Sequence, residues 1–189
     1  MQMFSMTRKG QIVEIPATST IYEAGATEGL LTADLLQQAA FPKSYSLFDG
    51  FLVGEHEGCE HFALGQRKGI GVGGKKAPLF VIGIDERENR LFVGQGADHP
   101  GLKACVFRFA LNHAIPSDNF NTATYPLSAQ VVSTIQSHLP LAMLHRIGED
   151  LFIVFQNEVP VTILNGSLEV YTDQILHMTI HNSNKRYEN

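Results

Sequence analysis

The segment with the clearest capacity for chemistry is Leu64 to Gly74, LGQRKGIGVGG, followed directly by Lys75 and Lys76. Glycines tolerate positive φ and let a ligand come close to the backbone. Arg67, Lys68, Lys75 and Lys76 are the cation types that pair with phosphate oxygens. A phosphate-binding P-loop needs GxxxxGK followed by Ser or Thr, and that order is absent. A dinucleotide fingerprint follows a strand and opens a helix, whereas Gly69, Gly71 and Gly73 run on to Pro78 and a strand-like stretch. Two readings remain open at this level: a backbone-and-cation surface for phosphate or sugar, and a structural glycine loop with a solvated basic edge.

Other groups offer less. His56 and His61 flank Cys59 in HEGCEH, but a zinc site needs more ligands than this. Glu57 and Glu60 beside Cys59 disfavour its thiolate, so no nucleophile is expected there. His177 and His181 stand four apart, a metal-ligand spacing on a helix. Strand character is expected there instead, and they read as surface or barrel-lining residues. Asp85, Glu86 and Glu88 read as a solvated charged turn. No Ser-His-Asp signature is present. Phe4, Phe62, Phe80 and Phe92 read as core; an exposed ring near Arg67 would instead suit base stacking. No catalytic residue, metal or cofactor is assigned.

The elements that must position the loop follow from pattern. Gln11–Ile15 alternates and predicts a strand ended by Pro16. Thr32–Ala40 predicts a helix capped by Thr32, with Leu35, Leu36 and Ala39 on one face. Asp49-Gly50 predicts a turn joining Tyr45–Phe48 to Phe51–Val53 as a hairpin. Pro78–Ile84 and Leu91–Gly94 predict paired strands around the charged turn. Asp98-His99-Pro100-Gly101 is a break, and the expected domains are 1–102 and 103–189. Beyond it, Lys103–Phe109, Ser128–Ile135, Leu139–Arg146, Leu151–Phe155, Val159–Ile163, Leu168–Tyr171 and Ile175–Ile180 have strand character. Turns are expected at Gly148-Glu149-Asp150 and Asn165-Gly166. The expected fold class is α+β, mainly β: a small mixed central domain followed by an antiparallel β-barrel. Asn182–Asn189 reads as a polar, frayed end.

Composition sets outer limits. Of 189 residues 44% are hydrophobic and 17% charged, which supports packed cores and argues against wholesale disorder. No apolar run reaches membrane-helix length, and MQMFSMTRKGQ does not read as a signal peptide, so a cytoplasmic protein with reduced Cys59 and Cys105 and no membrane partner is expected. The net charge of −5 argues mildly against a polyanion as partner. The charge is unevenly spread, however: His61 to Ile84 holds four cations and no acid, and a local positive patch can bind a polyanion on an acidic protein.

The ordered string His61 to Leu102 resembles the central domain of the tRNA-specific 2-thiouridylases. The resemblance runs through Gly65-Gln66-Arg67-Lys68-Gly69, the glycines from Gly71 to Gly74, Asp85, Asn89, Val93-Gly94 and His99 to Leu102. The lead-in Gly10-Gln11-Ile12-Val13 and the stretch Gly54 to Gly58 also look like that family. The likeness continues less closely into Val131–Val154, Val159–Ile180 and the Glu169 to Asp173 segment. It implies tRNA as ligand, with Gln66, Arg67, Lys68, Lys75 and Lys76 contacting phosphate or sugar. In that family the chemistry resides in an N-terminal ATP-pyrophosphatase domain with two catalytic cysteines, whose positions Cys59 and Cys105 do not match. This sequence carries no such domain, and Met1 falls about where the family's central domain begins.

Ala17–Ser46 looks like an insertion. Ser128–Ser137 lacks the Arg and Lys that are common in the family's first barrel strands, and Leu176-His177-Met178 replaces a run of glycines. The expected function is a non-catalytic tRNA-binding accessory module of tRNA thiolation, serving a separate ATP-pyrophosphatase or thiouridylase catalytic subunit and not an enzyme by itself. The alternative is a protein-interaction module that has lost RNA binding and docks to a sulfur-transfer or ATP-pyrophosphatase partner. A third reading is an independent small-molecule enzyme with a pocket between the domains.

Overall fold

The computed structural model describes residues 9–23, 32–117 and 124–181. The expectations for Phe4 and for Asn182–Asn189 lie outside them. The described chain is mostly strand with one α-helix, and it divides into two compact units. The first is drawn from the segments up to Tyr22 and Ser44–Leu102; the second takes the segment ending at Lys43 and everything from Lys103.

In the first unit, β1 (Gly10–Glu14), β2 (Phe51–His56), β3 (Leu79–Asp85) and β4 (Arg90–Gln95) form a sheet in the order β2-β1-β4-β3. The β1–β4 pair is parallel and the other two are antiparallel, so the sheet is mixed. Side chains alternate across a strand, and both faces here are buried. Ile12, Leu91 and Val93 pack with Ile70, Leu79 and Val81 on one side. Val13, Ile15 and Phe92 pack with Tyr45 and Ile82 on the other. Burial on both faces explains the nearly unbroken apolar runs of β3 and β4.

The predicted hairpin around Asp49-Gly50 does not form. Leu47–Asp49 is a 3-10 turn, and β2 pairs with β1. The Ser46 amide donates to Asp49 Oδ2 at 2.6 Å while Ser46 Oγ accepts from the Phe48 amide at 3.2 Å. This reciprocal cap gives the backbone a local alternative to the strand ladder.

The second unit holds α1 (Ala33–Ala39) and seven strands: β5 (Lys103–Ala110), β6 (Ala114–Pro116), β7 (Leu127–Ser133), β8 (Ala142–Ile147), β9 (Asp150–Pro160), β10 (Leu168–Thr172) and β11 (Ile175–Ile180). Their order is β5-β9-β8-β7-β10-β11-β6, antiparallel throughout. The expected barrel takes the form of this curled, half-barrel sheet. Thr32 caps α1 by accepting the Leu35 amide at 3.3 Å. Leu36 and Ala40 pack on Val106 and Phe152, whereas Leu35 is 47% exposed, so the buried face is narrower than its sequence pattern predicts. Just after the helix, the Phe41 amide donates to the Val106 carbonyl and its carbonyl accepts from Arg108, at 2.8 and 2.9 Å. These bonds occupy the edge of β5 that β9 leaves open.

Two expectations in this half need correction. Val159–Ile163 is not a strand of its own: β9 continues to Pro160, and Val161–Asn165 is a 3-10 turn with Val161 and Ile163 buried. Apolar residues can serve a buried turn as well as a strand. The short strand β6 was not anticipated either.

Candidate functional site

The loop from Leu64 to Pro78 is tied down at both ends. The Gly65 amide donates to the Val81 carbonyl at 2.7 Å, and the Val81 amide donates to the Gln66 carbonyl at 2.9 Å. The Gln66 side chain works within the loop: Oε1 accepts the Ala63 amide at 3.0 Å and Nε2 donates to the Lys68 carbonyl at 2.9 Å. At the far end, Gln95 Oε1 accepts the amides of Lys76 and Ala77 at 3.1 and 3.3 Å.

Between these anchors the loop has an inner and an outer side. Ile70 is buried in the Ile12–Leu91 core, and Val72 packs against the same cluster. Gly69 and Gly71 flank Ile70 with φ of +83° and +76°, a backbone conformation costly to other residues. Arg67 and Lys68 are exposed on the outer side and make no ion pair among the described residues. Lys76 is likewise exposed and makes no ion pair among the described residues. Lys75 differs, since its ammonium is paired with the Glu14 carboxylate, which is mostly buried. Of the five residues picked out in the sequence, Arg67, Lys68 and Lys76 therefore present free charge. Gln66 and Lys75 hold the loop in place. Glu14, as the partner of Lys75, was not singled out in the sequence; no pattern links positions 14 and 75.

The remaining motif residues are structural. Asp85 Oδ1 accepts the amides of Arg87 and Glu88 at 3.1 and 3.2 Å, closing the β3–β4 turn. Asn89 has φ of +53°, and its Oδ1 accepts the Cys59 amide at 3.1 Å. Cys59 is buried, and burial, ahead of Glu60 and Glu86, pushes its thiol pKa up. It is therefore held as the thiol. His177 lies on β11, is buried, and bonds the Tyr125 hydroxyl at 3.1 Å.

His99 spends both ring nitrogens on backbone. Nδ1 accepts the Gly101 amide at 3.1 Å, so the proton sits on Nε2 and is donated to the Ile15 carbonyl at 3.0 Å. A Cβ on Gly94 would lie 2.5 Å from the His99 ring, so that glycine makes room for the histidine. Burial is the largest influence on the His99 pKa and pulls it below the ordinary 6.5, outweighing the Ile15 carbonyl and Glu14. A depressed folded-state pKa means that the unfolded chain binds more protons, so stability falls as pH drops below about 6.5. His145 and His177 are shifted the same way, also by burial. Thermal melts followed by circular dichroism are expected to give a lower midpoint at pH 5.5 than at pH 7.5 (on the order of degrees,), with a shallower decline in His99→Gln.

Comparison with known proteins gives this arrangement a context. Residues 43–95 match the family described as the tRNA methyl transferase PRC-barrel domain. Over 96 residues, 51% of this chain, the sequence is 44% identical to the tRNA-specific 2-thiouridylase of Christiangramia forsetii. Over 164 residues, 84% of this chain, it is 32% identical to the tRNA-specific 2-thiouridylase of Karelsulcia muelleri. The chain is a relative of the tRNA-specific 2-thiouridylases. The matches cover 24% and 39% of those two thiouridylases, so the chain spans well under half of their length. The thiouridylase-like pattern thus separates into residues that build the scaffold (Asp85, Asn89, Gly94, His99) and a loop that carries free charge (Arg67, Lys68, Lys76). No helix among the described residues is long and apolar enough to cross a membrane.

Proposed function

We propose that the outer side of the Leu64–Pro78 loop is an RNA-contacting surface, and that the chain acts as a non-catalytic, tRNA-binding accessory module related to the tRNA 2-thiouridylases. The observation that carries this reading is the unpaired, exposed state of Arg67 and Lys68 on a loop whose backbone and Ile70 are fixed. A fixed loop backbone removes the cost of ordering the loop on binding, and Arg and Lys contact phosphate without reading sequence. Lys76 extends the charge, and Gln66 and Lys75 act chiefly by setting the loop's shape. The relatives are named for action on tRNA, which makes tRNA the ligand of choice. The setting would be cytoplasmic, with sulfur transfer performed by an ATP-pyrophosphatase or thiouridylase catalytic domain.

Titration of labelled total tRNA at several salt concentrations tests this. Binding is expected at low salt and should weaken as salt rises. Arg67→Ala with Lys68→Ala should lower both the affinity and the salt slope, the slope by about one per lost phosphate contact. No binding at low salt would sink the proposal. The net charge of −5 and the absence of Lys and Arg from β7 favour a second reading, a docking module for a sulfur-transfer or ATP-pyrophosphatase partner. Its signature is a nuclease-insensitive complex with that partner and no affinity for tRNA.

A further inference from the structure

Glycine has the most backbone freedom to lose on folding, so a fold keeps it where something requires it. Among the described residues, every glycine but one answers to one of two demands. Either a Cβ would lie within 3.0 Å of a neighbouring group, as at Gly10, Gly94 and Gly101, or the backbone has a positive φ, as at Gly69, Gly71 and Gly74. Gly73 answers to neither. A Cβ there would meet nothing within 4 Å, and its φ is not positive. Another residue at this position would fit the native backbone and lose less freedom on folding. The requirement for a bare main chain at Gly73 therefore points outside the fold. Glycine lets a ligand approach the backbone more closely than any side chain allows.

Gly73 stands in a run of unused donors. Among the described residues, no backbone amide from Gly71 to Lys75 donates to an acceptor of the fold; pairing resumes with the Lys76 and Ala77 amides, which go to Gln95 Oε1. Gly71, Gly73 and Gly74 are exposed. The run is nonetheless fixed. Ile70 and Val72 pack on the Ile12–Leu91 core beneath it, and Glu14 holds Lys75 at its end. Amides so placed bond to water until a ligand replaces it. Charge selects the ligand's acceptor. His61 to Ile84 contains no acid, the Glu14 carboxylate is taken by Lys75, and Lys76 makes no ion pair among the described residues. An anionic oxygen suits such a place, and amides bond it more strongly than a neutral one.

We infer that the main chain from Gly71 to Lys75 is a phosphate-contacting strip, where the missing side chain at Gly73 lets the sugar–phosphate backbone of RNA reach the amides. This rests on the reading of the loop as RNA-contacting and adds main-chain donors to its cations. The strip and the Arg67-Lys68 pair lie toward opposite edges of the sheet. The loop leaves β3 at Gln66, whose carbonyl accepts the Val81 amide, and reaches β2 at Val72, a methyl of which lies 3.0 Å from a would-be Cβ on Gly54. They therefore meet different phosphates, so the ligand carries successive phosphates and is a polymer, not a mononucleotide.

The test uses the full chain and labelled total tRNA at several salt concentrations. Gly73→Ala is expected to weaken binding about tenfold, as for one lost hydrogen bond to a charged group. The salt slope should not change, because an amide carries no charge to displace counterions. Arg67→Ala with Lys68→Ala, in contrast, should reduce the slope. The urea midpoint of Gly73→Ala should stay at that of wild type, so that weaker binding is not lost folding. In wild type, saturating tRNA should slow hydrogen exchange at the Gly71–Lys75 amides. Wild-type affinity in Gly73→Ala, or unslowed exchange at saturation, overturns the strip and leaves the role of the cations standing. Failure of wild type to bind tRNA at low salt overturns both.

Discussion

Phe107→Ala is expected to lower the stability of the second unit by about 3–5 kcal/mol, the range for removing a fully buried aromatic ring. Phe107 is completely buried on β5. Its ring lies between Phe41 and Phe155, at centroid distances of 5.9 and 5.8 Å. Truncation leaves a cavity that both neighbours line, and neither can close it cheaply. Phe155 is held on β9 within the sheet, and Phe41 is held by its two backbone bonds to β5. Such a loss is a large fraction of the total stability of a small domain. Hydrogen exchange should show it as a drop in protection across β5 and β9, with Phe107→Leu losing less. Wild-type protection in Phe107→Ala would mean that the site collapses around the missing ring, contrary to this account.

Gly10→Ala is expected to be comparably damaging to the first unit, for the opposite reason. An added Cβ would lie 2.2 Å from the Asn89 carbonyl oxygen and 2.4 Å from Nε2 and Cε1 of His56. A flexible side-chain tip could move aside, but Asn89 is fixed. It sits at φ +53°, accepts the Gln11 amide through that same oxygen, and accepts the Cys59 amide through its side chain. His56 is buried, with Nδ1 accepting the Gly58 amide. Relief therefore requires β1 to draw away from β4 at the start of their parallel pairing. A loss of about 3 kcal/mol or more is expected, the upper end of overpacking costs. Gly73→Ala is the control: nothing lies within 4 Å of its would-be Cβ, and a change within about 0.5 kcal/mol is expected. Urea titrations of the two variants should separate them clearly; equal midpoints would contradict the crowding described at Gly10.

The sequence made the strands around the loop legible because their apolar runs are long and bounded by turn residues. Both faces of β3 and β4 are buried, so the pattern is strong wherever it is sampled. It failed where local polar chemistry competed with strand pairing, as at Ser46 and Asp49, and where a buried turn used the same residue types as a strand, as at Val161 and Ile163. The basic loop was visible as a string, but the division of labour within it was not. That Lys75 is neutralised while Lys76 is free depends on Glu14, sixty-one positions away. Nothing in the residue pattern separates the exposed Phe51 from the core phenylalanines, since its surroundings depend on which strand becomes an edge. Among the described residues β2 pairs only with β1, and that is a fact of topology.

The segment holding α1 also bears on the order of synthesis. The helix lies in sequence between β1 and β2 of the first unit, yet packs within the second. Leu36 leaves the ribosome 70 residues ahead of Val106, its partner on β5. At cellular translation speeds that is an interval on the order of several seconds. A seven-residue helix does not hold its shape alone in water. For that interval the first unit can close, as all its strands are made by Gln95, while Leu36 and Ala40 wait without their partners. Nascent chains that have emerged from the ribosome only as far as Leu102 should therefore carry a finished sheet and an unformed α1, the helix forming only once β5 and β9 have emerged.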